Sequence, residues 1–149
     1  MSHYAILQKL NAAGIKPSMQ RIAIMEYLDM NHTHPTVDEI YRFISSKHPT
    51  LSRTTVYNTV KILAAHGCIN TIDIEAANTR YDVDTTPHAH FLCTRCGKIS
   101  DIPLDGRCTL PEGFTASAMQ VYFKGICPGC HATETNNQPK PKSIKNNRL

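Results

Sequence analysis

Long apolar runs are missing from this chain of 149 residues: none approaches the roughly 18–20 residues of a membrane span. The opening residues, Met1-Ser2-His3-Tyr4, also lack the basic stretch and apolar core of a secretory leader. No glutamate stands between or beside His88 and His90, and no His-x-Glu deaminase signature occurs. A zinc enzyme built on those histidines would therefore have no evident general base, and the expectation is a non-enzyme. Charged residues amount to only 19% against 41% hydrophobic, too ordinary a balance for a disordered chain. What remains is a cytoplasmic protein of one ordinary domain or two small ones.

The net charge of +4 is unevenly spread. Residues 1–67 carry seven Lys/Arg against four Asp/Glu, and residues 68–134 carry five against eight. Residues 135–149 hold four basic residues and no acid. A basic half followed by an acidic half suggests a polyanion-facing module joined to a different one. The end, from Asn136-Asn137-Gln138-Pro139 to Arg148, is too polar to bury a core and is expected to be a disordered basic tail over 135–149.

The first half reads as helices. Ile6, Leu7 and Leu10 repeat at helical spacing and stop at Gly14. Ser18 caps a second helix with Ile22, Met25 and Leu28 on its apolar face. After the His34-Pro35 break, Thr36-Val37-Asp38-Glu39 has the form of a capping box, followed by the stripe Val37, Ile40, Tyr41 and Ile44. Pro49 ends that helix, and Ser52 caps a fourth that closes at Gly67. The period then changes to two: Ile69–Ile74 and Thr79–Asp82 read as a hairpin, with Cys68 packed at its base.

Helices followed by a two-stranded hairpin make a winged helix-turn-helix plan. In such proteins the start of the recognition helix enters the major groove. With Val56 and Val60 facing inward, Arg53, Thr54, Tyr57, Asn58 and Lys61 point outward and are the candidate DNA contacts.

The second half reads as metal sites. Cys93-Thr94-Arg95-Cys96 and Cys127-Pro128-Gly129-Cys130 are two Cys-x-x-Cys turns. Two such pairs complete a closed, tetrahedral Cys₄ shell, hence structural zinc on Cys93, Cys96, Cys127 and Cys130. Gly97 and Gly129 suit tight knuckles. A thioredoxin-type dithiol would need a βα context that is missing, and would leave the other pair unexplained. Cys108 has no assignable role. Just upstream, His88-Ala89-His90 on a strand would place two imidazoles on one face. They form either half of a metal site or a pair of surface histidines. Asp82, Asp84 and Asp101 are the nearby acids, and such nitrogen and oxygen donors suit Fe(II), Mn(II) or Zn(II).

Three ordered runs resemble the ferric uptake regulator superfamily: His34-Pro35-Thr36-Val37-Asp38-Glu39-Ile40-Tyr41, Ser52-Arg53-Thr54-Thr55-Val56-Tyr57-Asn58, and His88-x-His90-x-x-Cys93-x-x-Cys96-Gly97-Lys98. The resemblance spans residues 3 to about 131. It implies an α+β protein: a winged-helix DNA-binding domain over 1–82, a hinge at 83–87, and an α/β dimerisation domain over 88–134 carrying the zinc. It further implies a homodimer on a two-fold DNA operator, with no membrane association. The regulatory metal, iron(II) or manganese(II), would sit on His34, Asp82, His88, His90 and Asp101. The choice of Asp82 over Asp84 follows the resemblance alone.

Two aspartates in that shell, rather than glutamates, resemble the peroxide-sensing branch. Pro87-His88-Ala89-His90 also lacks the His-His-Asp-His run that supplies a further site in iron-responsive members. The resemblance therefore implies a repressor whose ligand histidine, His34 or His88, is oxidised by peroxide at bound iron, releasing DNA. An iron- or zinc-level-responsive repressor of the same superfamily is the alternative. One departure is the short connection from Asp101 to Phe114, where Pro103, Asp105-Gly106 and Pro111 argue against a long helix. A strand over Phe114–Phe123 is expected to follow and to pair between subunits.

Overall fold

The structure, a computed structural model, describes residues 1–106 and 109–136, without the side chains of 134–136. Cys108 and the tail from Asn137 onward lie outside the described residues.

Four helices open the chain: α1 (His3–Ala12), α2 (Met19–Met30), α3 (Val37–Lys47) and α4 (Arg53–Ala65). Each begins at a hydroxyl that accepts an otherwise unpaired backbone N–H, at Ser2, Ser18, Thr36 and Ser52. At Thr36 the capping box is complete: Thr36 Oγ1 accepts from Glu39 N (3.3 Å), and Glu39 Oε2 accepts from Thr36 N (2.7 Å). Past α4, Gly67 adopts the left-handed conformation (φ 69°) that lets the chain turn into the hairpin. Strands β1 (Asn70–Ile72) and β2 (Arg80–Asp82) pair antiparallel. They are shorter than the alternation suggested, because only these residues have a cross-strand partner.

Ile6, Leu10, Ile24, Met25, Ile40, Val56, Val60 and Leu63 are fully buried in one core, which Cys68, Ile69 and Tyr81 close from the hairpin side. Each large apolar side chain so buried contributes roughly 1.5–3 kcal/mol. Val83, at the start of the expected hinge, belongs to the same core, and Lys9 Nζ donates to its carbonyl at 3.0 Å.

The second half is a three-stranded sheet in the order β4-β3-β5, from β3 (Ala89–Cys93), β4 (Ile99–Ile102) and β5 (Tyr122–Gly125). β3 pairs antiparallel with β4 and parallel with β5. A small apolar cluster of Ile72, Ile74 and Ile99, flanked by Leu92 and Tyr122, joins this sheet to the hairpin. Alongside it, Tyr122 Oη accepts from Asp73 N at 3.1 Å, and Gln120 Nε2 donates to Thr71 O at 3.1 Å.

Three expectations need correction. The strand expected over Phe114–Phe123 is confined to Tyr122–Gly125, because β3 offers partners only from His90 to Cys93; residues 114–120 are exposed. Gly97 is left-handed (φ 71°) as a knuckle requires, but Gly129 lies in helix α5 (Pro128–Asn136). Pro128 suits a first helical turn, where its missing N–H costs nothing. That helix also takes in Thr135 and Asn136, two residues expected in the tail. Among the described residues no helix is long and apolar enough to cross a membrane.

Candidate functional site

The two Cys-x-x-Cys turns meet. Sγ atoms of Cys93, Cys96, Cys127 and Cys130 all lie within 4.8 Å of one another. Cys93–Cys130 and Cys96–Cys127 are each 3.8 Å apart. A tetrahedron with metal–sulfur bonds of about 2.3 Å has edges of about 3.8 Å, whereas a disulfide would need about 2.05 Å. The donor set and spacing fit zinc. Backbone N–H groups, those of Cys96 and Cys127 foremost, pull the Cys93 thiol down to about 6. Hydrogen bonding with Cys127 first, then burial and the other thiols, push Cys130 up to about 12.

The second cluster spans both halves of the molecule. His34, Asp82, His88, His90 and Asp101 each offer a donor atom within 4.8 Å of all the others. His34 comes from the break between α2 and α3, and Asp82 from the end of β2. His88 stands just before β3 rather than on it; His90 is on β3. Asp101, the antiparallel register partner of His90, is on β4. The contacts are close: His34 Nε2 to Asp101 Oδ1 is 2.7 Å, His88 Nε2 to Asp82 Oδ2 is 3.0 Å, and His90 Nε2 to Asp82 Oδ2 is 3.5 Å. His88 Nε2 and His90 Nε2 face each other at 2.9 Å.

Burial is deep for His34 (2%), Asp82 (4%) and His90 (6%), while the Asp101 side chain stays 44% exposed. His34 Nδ1, His34 Nε2 and Asp82 Oδ2 are buried with no hydrogen-bond partner. Orphaned buried polar atoms of this kind are costly, and a cation held by Asp82 Oδ2 and one ring nitrogen of His34 removes the cost at those two atoms. The fit to a divalent metal is therefore chemical as well as geometric. His88 Nδ1 lies 2.8 Å from Thr86 O, which leaves Nε2 as the free donor, the usual outer arrangement of a ligating histidine. Burial opposes charge on His88, but the Thr86 carbonyl and then Asp82 and Asp101 outweigh it and raise the pKa. His90 is lowered, by burial first and then by His88 and His34. Asp84 is not in the cluster: its Oδ1 accepts from Thr86 N and Oγ1 at 2.9 and 2.7 Å.

His34 alone among the described non-glycine residues has a positive φ, 52°. Such a conformation costs on the order of 1–3 kcal/mol, and the surroundings must hold it. Arg80 Nη1 donates to the His34 carbonyl at 3.1 Å, and Tyr81 N donates to Pro35 O at 3.0 Å. No local signal in the sequence pointed to Arg80.

On α4, Arg53, Thr54, Tyr57, Asn58 and Lys61 are all exposed on one side, opposite buried Val56, Val60 and Leu63. Lys61 Nζ lies 5.3 Å from the centre of the Tyr57 ring. Arg53 is paired with Asp38 of α3 through Nε to Oδ1 and through Nη2 to Oδ2, the latter at 3.1 Å. That pair was not foreseen either, because it joins two helices that sequence periodicity treats separately.

Comparison with known proteins places this architecture. A family model described as the ferric uptake regulator family matches residues 12–115. The Peroxide operon regulator of Bacillus subtilis is 32% identical over 136 residues, covering 87% of this chain and 94% of that protein. The Peroxide-responsive repressor PerR of Staphylococcus aureus strain Mu50 is 39% identical over 130 residues, covering 83% and 88%. Among solved structures, the ferric uptake regulator Fur of Helicobacter pylori shares the fold (TM-score 0.67, 22% identity, 88% and 95% covered). PerR from Streptococcus pyogenes matches with a TM-score of 0.51 at 28% identity, covering 87% and 92%.

Proposed function

The chain belongs to the ferric uptake regulator family, and from that premise we propose a metal-dependent DNA-binding repressor that responds to peroxide. It is a transcriptional regulator rather than an enzyme, and it works in the cytoplasm as a homodimer. Zinc is held by Cys93, Cys96, Cys127 and Cys130 and has a structural role. Iron(II) or manganese(II) is held by His34, Asp82, His88, His90 and Asp101.

The observation that carries this reading is the convergence of five donor residues from both halves of the chain, two of which, His34 and Asp82, carry buried polar atoms with no hydrogen-bond partner. His34 and Asp82 belong to the half with the helices and hairpin, whereas His88, His90 and Asp101 border or lie on the sheet. Ligation from both sides fixes the angle between the halves. In a dimer this sets the separation of the two α4 helices, which a two-fold operator with matching half-sites recognises. Losing one ligand loosens that tie and shifts the population toward forms that do not fit the operator.

Iron(II), when bound, supplies the electron that cleaves the O–O bond of a peroxide. The chain's part is to present ligand imidazoles, His34 and His88, as the nearest oxidisable groups and to hold them there. Addition of one oxygen of hydrogen peroxide at a carbon of either ring, the other leaving as water, spoils the ring as a ligand, and the operator is released. The cysteines need take no part.

The test is mass spectrometry after brief peroxide exposure of the iron and manganese forms, together with operator binding by each. The iron form should gain one oxygen on a peptide containing His34 or His88 and release DNA; the manganese form should do neither. Oxidation mapping to the cysteines with zinc loss would make the switch thiol-based. Release of DNA by a chelator but by peroxide in neither form would make the protein a metal-level sensor.

A further inference from the structure

We propose that Arg80 is the positioning residue of the metal centre, holding His34 and Asp82 in register with each other and linking them to the start of α3. This rests on the reading of His34 and Asp82 as metal ligands. Arg80 and Asp82 are two residues apart on β2, so their side chains leave the strand on the same face. One is in the metal cluster. The other, only 18% exposed, reaches across to the chain segment that carries a second ligand.

Three contacts define that reach. Arg80 Nη1 donates to the carbonyl of His34 at 3.1 Å. The same Nη1 lies 3.6 Å from Glu39 Oε2, the oxygen that closes the α3 capping box on Thr36 N. Arg80 Nε pairs with Glu75 Oε1 in the hairpin loop, a separate contact from the one Nη1 makes with His34. The backbone supports the same junction: Thr36 and Arg80 form an isolated antiparallel bridge, and Tyr81 N donates to Pro35 O.

His34 needs such support because its φ of 52° is unfavourable for a side chain larger than glycine. A guanidinium on its carbonyl holds the residue in that conformation without any contribution from metal. Arg80 therefore organises the two ligands of the helical half in advance, so the ion has only the sheet half left to gather. Because the same group touches Glu39, a shift of His34 is felt at the first turn of α3, against which α4 packs. Arg80 is in this sense a mechanical link between ligand loss and the DNA-binding helices.

The experiment uses zinc-loaded full-length protein and compares Arg80→Met with Glu75→Gln. Manganese(II) affinity is read by titration, and exchange of the Tyr81 amide hydrogen is read in protein free of the regulatory metal. Arg80→Met should weaken manganese(II) binding by 10- to 100-fold, the range found for outer residues that orient metal ligands. It should also speed Tyr81 exchange, with zinc content unchanged. Glu75→Gln leaves the Arg80–His34 contact in place and should bind manganese(II) nearly as the parent does. The proposal fails if Arg80→Met binds manganese(II) normally. It fails equally if Glu75→Gln weakens binding as much, since loss of hairpin stability would then explain both. A parent protein that takes up no manganese(II) would instead overturn the ligand reading, and this proposal with it.

Discussion

His34 Nε2 lies 2.7 Å from Asp101 Oδ1, although one is buried at the foot of the helical half and the other is half-exposed on β4. The pair forms no hydrogen bond, and the other carboxylate near His34 Nε2, Asp82 Oδ2, lies 3.9 Å away. Two donor atoms brought this close, from elements that share no backbone hydrogen bond, mark the seam at which a cation would join the halves.

Asp101→Ala therefore removes a ligand from the sheet side without touching a cysteine. Loss of an outer orienting group costs 10- to 100-fold in metal affinity, so loss of a ligand should weaken manganese(II) binding by more than about 100-fold. Metal-dependent DNA binding should disappear while zinc stays at one per chain. Elemental analysis and a gel-shift titration with manganese(II) check both. Retained metal-dependent binding would remove Asp101 from the centre.

Much of this was legible from local chemistry. Ser18, Thr36, Ser52 and Gly67 mark helix ends because caps and left-handed turns demand those residue types at those points. Cys-x-x-Cys spacing shows which thiols can share an ion. What stayed hidden depends on contacts between elements. Asp38 with Arg53, and Arg80 with His34, Glu39 and Glu75, are pairings that only the packed helices and hairpin create. The strand expected over Phe114–Phe123 starts well before β5 for a related reason: a strand's bounds are set by its neighbour, and β3 is short.

Cys96→Ser leaves three thiols at the zinc site and should lose the metal and the ordered sheet half, since structural zinc is coupled to folding. Proton release adds a pH dependence. With Cys93 near 6 and Cys130 near 12, the metal-free protein near neutral pH holds Cys93 as thiolate and Cys130 as thiol. Zinc uptake must expel the Cys130 proton, so zinc affinity should rise as pH rises from 6 to 9. A chelator-competition assay across that range checks it, and a flat profile would contradict it.

Thr36→Ala removes the hydroxyl that accepts from Glu39 N at the start of α3. The loss of a cap of this type costs about 0.5–2 kcal/mol in urea unfolding. His34 is two residues upstream, so the looser helix entry should also lower manganese(II) affinity several-fold, with zinc unaffected. Thr36→Ser keeps the acceptor and should restore both. A serine variant as impaired as the alanine one would show that the methyl group, not the cap, matters.

Arg53 is held by Asp38 along one edge of its guanidinium, Nε and Nη2. The outer edge, Nη1 and Nη2, is left for a partner beyond the protein surface, and a bidentate fork of that kind matches guanine O6 and N7 in the major groove. Arg53 is therefore expected to read a base rather than only a phosphate. Arg53→Ala should reduce discrimination at one base pair per half-site by about 1–3 kcal/mol. Asp38→Asn keeps the shape but weakens the hold, so it should show a smaller loss at the same base pair. Binding of selected and random duplexes over a salt series distinguishes the two roles. A phosphate contact would lower affinity for both duplexes alike and flatten the salt dependence by about one charge. That result would displace Arg53 from base recognition and leave Tyr57 and Asn58, on the same exposed face of α4, as the residues to test next.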